Sequence, residues 1–142
     1  MPDILLGASA QDAGVAVFAT TTTGLVGEIA RRHDLWPTAA AAVGRLTTGA
    51  VLFGASLKGS ERISLHITGT GAIGSVTADA WLLDERTLGA RGYARNPHVD
   101  LPIDARGKFD ISGAIGAGAL QVTKSYEVGQ PYVGVVPLHS GE

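Results

Sequence analysis

Two apolar runs separated by a short polar break open the chain. Ile4 to Ala10 and Val15 to Thr21 are apolar, β-tolerant runs. The Asp12-Ala13-Gly14 break between them predicts a hairpin turn. The period then changes. Thr22 or Thr23 is placed to cap a helix running through Arg32, with Glu28 toward its N-terminal half and Arg31, Arg32 and His33 at its C-terminal end. That polarity suits the helix dipole. Pro37 fits the first turn of a second helix. Gly44, Gly49 and Gly54 weaken that helix by propensity. They also permit close backbone approach, so the second helix is expected to pack inside the domain.

After Lys58-Gly59 the pattern becomes that of strands. Ile63, Leu65 and Ile67 alternate with Ser64, His66 and Thr68, the period of a half-buried strand. Val76, Ala78 and Ala80 continue it after a glycine turn. Leu88 to Ala94, Phe109 to Ile115, Leu120 to Thr123 and Tyr132 to Leu138 are further strand candidates, separated by Gly, Pro and Asn-Pro breaks. Two early helices followed by many short strands predict an α+β fold, a single domain with a largely antiparallel sheet. No linker, low-complexity segment or internal repeat interrupts it.

Composition narrows the function classes. A chain of 142 residues buries roughly 68–70% of its unfolded surface, enough to fold without disulfide or metal. A formal charge of -2 supplies no electrostatic reason to expect nucleic acid, and Phe109, Tyr126 and Tyr132 are too scattered for a base-stacking platform. The nearly apolar stretch from Thr38 to Leu57 raises the question of a membrane span. It contains Arg45, Thr47, Thr48 and three glycines, and a charge near the bilayer centre is costly, so a buried helix and no membrane partner are expected. The count of zero Cys excludes disulfides, thiolate metal sites and a thiol nucleophile. The start, MPDILLGASA, lacks the basic flank and long apolar run of a secretory signal, and a cytoplasmic protein is expected.

Candidate chemistry is thin. Gly69 to Gly74 reads GTGAIG, with glycines at Gly69, Gly71 and Gly74, and matches GxGxxG literally. A dinucleotide site needs that loop to open a helix, but the β-like SVTADAWLL follows, so a tight turn is expected. Gly113 to Gly118, with Gly116 and Gly118, also runs into a strand, and a bulge or close backbone crossing is the expectation. His33, His66, His98 and His139 have no metal-ligand spacing. Asp84-Glu85 and the pair Asp100 and Asp104 lie among turn residues, where solvated acids are common. No GxSxG elbow exists, and no enzyme is expected. Arg45, inside the apolar helix, is expected to be buried against a carboxylate. In Arg91-Gly92-Tyr93, Gly92 is expected to permit a tight approach while Arg91 and Tyr93 hold a corner.

These pieces have a family-like order. Gly44-Arg45-Leu46, Leu57-Lys58-Gly59, Arg91-Gly92-Tyr93, the GxGxL of Gly116 to Leu120 and the closing PYVGVVPLHSGE follow one another over nearly the whole chain. In that order and spacing the chain resembles the N-terminal domain of the redox-regulated heat-shock protein 33 family of chaperones. One departure is Gly71-Ala72, where the family usually has Gly-Pro. A larger one is the end: family members continue past the SGE with a helix, a linker and CxC and CxxC zinc ligands. The resemblance implies that residues 1–142 are the client-handling domain, with linker and zinc-binding domain absent, either as a natural truncation or as an expressed piece.

The function implied is an ATP-independent holdase that binds unfolding proteins and has no redox switch of its own. The alternative is a structural or oligomerisation module of the same fold. A nucleotide enzyme would rest on the two glycine turns alone. No cofactor is implied within these residues, since the family zinc belongs to the C-terminal module. The implied partners are unfolded or partly folded clients and a homodimer or higher homo-oligomer, through swapped or edge-paired strands. Arg45, Gly69, Gly71, Gly74, Arg91, Gly92, Tyr93, Gly116 and Gly118 are read as structural motif residues. No client face is assigned: a sheet face bearing Ile63, Leu65, Val76 and Trp81 could contribute, but a core position is expected for most of them, and Trp36 is the aromatic most expected to be exposed.

Overall fold

In the computed structural model, which describes residues 1–139, the two opening apolar runs form a two-stranded antiparallel hairpin. Strand β1 spans Leu5–Ala10 and β2 spans Val15–Thr20, with Leu5 opposite Thr20 and Ala10 opposite Val15. A single 3₁₀ turn, Gln11–Ala13, joins them, and Gly14 closes it at φ 63°, a left-handed conformation in which glycine carries no Cβ penalty. Helix α1 follows at Thr23–His33. Thr22 occupies the cap position, but its hydroxyl bonds the Thr48 hydroxyl at 2.7 Å instead of its own helix. The capping acceptor comes from before the hairpin: Asp3 accepts the N–H groups of Gly24 and Leu25 at 3.2 and 2.7 Å. A carboxylate at a helix N-terminus satisfies free donors and suits the dipole.

Helix α2, Pro37–Gly54, is the centre of the molecule. Its buried positions, among them Ala39, Ala42, Val43, Leu46, Thr47 and Ala50, recur every three to four residues and press against one face of a five-stranded sheet. That sheet is built from β3 (Arg62–Gly69), β4 (Ser75–Asp84), β5 (Thr87–Ala94), β6 (Gly118–Ser125) and β7 (Tyr132–Pro137), ordered β5-β4-β3-β6-β7. All its pairings are antiparallel. The inward set of Ile63, Leu65, Val76, Ala78 and Ala80 meets α2 in one apolar core, and these are the alternating positions of the sequence. The α+β fold with a buried second helix is therefore as expected. The helix can lie this close because Gly92 of β5 has no side chain: a Cβ there would overlap the Thr47 hydroxyl and stand 3.0 Å from Val43.

Three expectations are corrected. Phe109 to Ile115 is not a strand. Ile111–Ile115 forms a short helix, α3, whose buried Ile111, Ala114 and Ile115 have helical spacing and whose cap Asp110 accepts the Gly113 N–H at 2.8 Å. Arg45 is not buried in an ion pair. It lies on the outward face of α2, exposed, and no ion pair to it is present among the described residues. The helical period puts it out of phase with the buried positions, so its charge stays in water. Arg91 and Tyr93 do not hold a corner: they lie in regular register in the middle of β5, opposite Asp79 and Thr77. Among the described residues no helix is long and apolar enough to cross a membrane.

Candidate functional site

The two glycine clusters, far apart in sequence, cross in space. The turn between β3 and β4 lies against the α3–β6 connection so closely that a Cβ at Gly69 would overlap the Ile115 carbonyl, one at Gly71 the Ala114 carbonyl, and one at Gly118 the Thr68 carbonyl. Gly74 and Gly116 have φ of 73° and 70°. Five of the six amides of the GxGxxG turn, all but that of Ala72, donate to backbone carbonyls. Thr70 N–H donates to Ala117, Gly71 to Ile115 and Ile73 to Ala114, at 2.9, 2.8 and 3.1 Å, while Gly69 and Gly74 bond across the turn. A phosphate cradle needs several converging free N–H groups, and five of the six here are committed to carbonyls. The motif builds a backbone junction.

The sheet face turned away from α2 is polar. Buried Asp79 accepts from Arg91 Nε at 2.6 Å and from Ser64 Oγ at 2.5 Å. His66 Nδ1 and Thr77 Oγ1 are 2.7 Å apart. Trp81 lies over Gly89, with the guanidinium groups of Arg62 and Arg91 at 5.0 and 6.0 Å from its ring. Tyr93, half exposed, has its ring 6.5 Å from that of His33. Among the described residues no three His, Asp or Glu side chains are grouped to hold a metal. With no cysteine in the sequence, thiolate zinc does not fit these residues.

One carboxylate of each pair is held in its charged form by backbone donors. The Arg86 N–H, 2.8 Å from Asp84 Oδ1, is the main cause of an Asp84 acidity stronger than usual. The Lys108 N–H does the same for Asp104. A general acid at neutral pH needs the opposite displacement. Trp36, as expected, is half exposed, at 5.1 Å from the His98 ring.

What the molecule offers instead is uncovered apolar surface, and most of it lies where the sequence reading assigned no site. In the β1–β2 register, Leu6, Ala8 and Ala10 share one hairpin face with Val15, Val17 and Ala19. That face is wholly apolar and wholly exposed: Leu6 is 60% and Val17 59% accessible. The other face carries Phe18, laid over Gly7 yet 46% accessible. Against the hairpin's base, a cleft of about 580 Å³ runs between Ile4, Leu6, Leu25, Val51, Arg86 and Leu88. A second uncovered strip is β7, where Tyr132, Val133, Val135 and Val136 are all more than half exposed. The strand register sets the faces. Whether another element covers them is a tertiary fact that apolar runs in the sequence do not carry.

Comparison with known proteins agrees with this architecture. The family described as Hsp33 protein matches residues 3–142. A 33 kDa chaperonin of Bacillus velezensis is 41% identical over 141 residues, 99% of this chain and 47% of the relative. One from Clostridium perfringens is 44% identical over 145 residues, 100% of this chain and 45% of the relative. The crystal structure of the 33 kDa chaperonin (heat shock protein 33 homolog) of Thermotoga maritima superposes with a TM-score of 0.72 at 39% identity, covering 82% of this chain and 39% of that one. The chain spans about half the length of the curated relatives it matches.

Proposed function

The chain belongs to the Hsp33 family, and from that premise we propose that it is an ATP-independent holdase domain, which binds unfolding proteins and keeps them from aggregating. The observation that carries this reading is the β1–β2 hairpin: one face is entirely apolar and open to solvent. Exposed apolar patches of this kind mark interaction sites, and a two-stranded hairpin is marginal without a covering layer. Recognition by such a face is tolerant of sequence, as capture of many unfolded clients requires. The GxGxxG turn, with five of its six amides bonded to carbonyls, fits a function that needs no nucleotide.

A redox gate acts through thiols. These 142 residues contain none, so binding by this surface is constitutive with respect to peroxide. The partners are unfolded or partly folded proteins, the compartment is the cytoplasm, and the same face favours a homodimer or higher homo-oligomer in concentrated solution. The test is light scattering from a thermally unfolding client under reducing conditions. Suppression at near-stoichiometric ratio, unchanged by peroxide, is expected. No suppression by a folded, self-associating chain would contradict the reading and leave an oligomerisation module.

A further inference from the structure

We propose that the free edge of β7 captures clients by strand addition, taking as its ligand an extended, uncharged segment of unfolded chain with an apolar residue at every second position. This rests on the holdase reading and names the chemistry of what is held.

Among the described residues, the sheet order leaves β7 bonded on one side only, to β6. Which groups face outward follows from the register. The Leu138 N–H donates to the Gly118 carbonyl at 2.9 Å, and bonded and non-bonded positions alternate along an antiparallel pair. Tyr132, Gly134 and Val136 therefore bond β6. Val133 and Val135 present N–H and C=O to the outside, and Pro137, which has no N–H, falls at an outward position.

Edge strands are normally blunted by charge, but no Asp, Glu, Lys or Arg occurs from Val128 to His139. The opposite edge strand, β5, is flanked by α1 and α2 and carries Arg91. Pro131 and Pro137 bracket β7 and confine pairing to the residues between them. An uncharged edge favours an uncharged ligand, because a charged residue placed there is desolvated without a partner. Val133 and Val135, 53% and 61% exposed, offer cross-strand contacts to apolar side chains.

Area decides against a second copy as the occupant. The six residues of β7 span about 20 Å. A contact strip about 10 Å across then covers about 200 Å² per partner, against ~800 Å² in a stable interface. Two copies meeting by this edge alone do not hold together, whereas a short-lived grip on a client segment needs no more.

The test is amide hydrogen exchange on the full chain with a blocked peptide of alternating valine and threonine, and with a counterpart in which proline replaces threonine. The first peptide is expected to slow exchange at Val133 and Val135 by about fivefold at saturation, and the second to leave it unchanged. Val135→Pro, which removes an outward donor as Pro137 already does, is expected to keep the fold and lose peptide binding. Unchanged exchange at both amides, or undiminished binding by folded Val135→Pro, would overturn the proposal. So would protection without peptide that grows with protein concentration, which assigns the edge to a second copy. If Val135→Pro does not fold, the wild-type exchange decides alone. Client scattering run in parallel separates the two claims: loss of suppression by wild type removes the holdase reading but not the edge result, and the reverse outcome removes only the edge.

Discussion

The carboxylate of Asp3 accepts the backbone N–H of Leu25 at 2.7 Å, joining the residue before the hairpin to the first turn of α1. The same carboxylate takes the Gly24 N–H, while Ile4 and Thr21 are bonded through backbone and hydroxyl. Together these bonds fix the base of the exposed hairpin to the body of the domain. Removing a capping carboxylate costs about 0.5–2 kcal/mol. Asp3→Ala is expected to lower the melting temperature by about 2–6 °C and to raise proteolytic sensitivity first in the hairpin. An unchanged melting curve would show that the cap is not formed in solution.

The close approach of α2 to the sheet predicts a coupled pair. Gly92→Ala places a Cβ against the Thr47 hydroxyl and Val43, and overpacking of this kind costs about 1–3 kcal/mol. Thr47 Oγ1 is buried without a hydrogen-bond partner among the described residues, so Thr47→Ala vacates space at little polar cost. In denaturant unfolding, Thr47→Ala is expected to be less harmful in the Gly92→Ala background than in wild type, a favourable coupling in a double-mutant cycle. Additive losses would mean that the added methyl is accommodated elsewhere.

Glu28 gives a pH prediction. Hydrogen bonds from Arg31, and then Arg32, hold its carboxyl down to about 2. A carboxyl depressed in the folded state contributes stability that is present above its unfolded value, about 4.3, and is lost as pH falls through the folded value. The Glu28 carboxyl resonance is expected to titrate near 2, with α1 loosening over the window between the two values. Because the side chains are exposed, the effect on global stability is small. Titration at the ordinary glutamate position would mean that the fork with Arg31 and Arg32 does not persist.

The hairpin face predicts a separation of binding from stability. Leu6 and Val17 are more than half exposed, so Leu6→Ser and Val17→Ser are expected to change folding free energy by less than about 0.5 kcal/mol. Fluorescence of a hydrophobic dye is expected to fall in both. Unchanged dye binding would place the accessible apolar surface elsewhere, at β7 or the cleft.

Much of this architecture was legible because period and burial coincide. Ile63, Leu65 and Val76 alternate and are core, and Asp12-Ala13-Gly14 breaks two strands and is a turn. Arg45 misled because its neighbours are apolar, yet a helix sorts residues by angle: Ala42, Leu46 and Ala50 face inward, and Arg45 falls between them. Ile111, Ala114 and Ile115 had helical spacing behind a capping Asp110, a signal that strand-like neighbours masked. The Asp3 cap spans more than a helix turn of sequence, so no local motif announces it. The exposed hairpin face was beyond reach for a different reason, since its residues are those of any buried strand.

The most direct test compares wild type with the Leu6→Ser, Val17→Ser double variant in suppressing the aggregation of a thermally unfolding client, both proteins first shown to be equally folded. Wild type is expected to suppress scattering near stoichiometric ratio, peroxide to change nothing, and the variant to need severalfold more protein. Equal suppression by wild type and variant would contradict the assignment of client binding to the hairpin face.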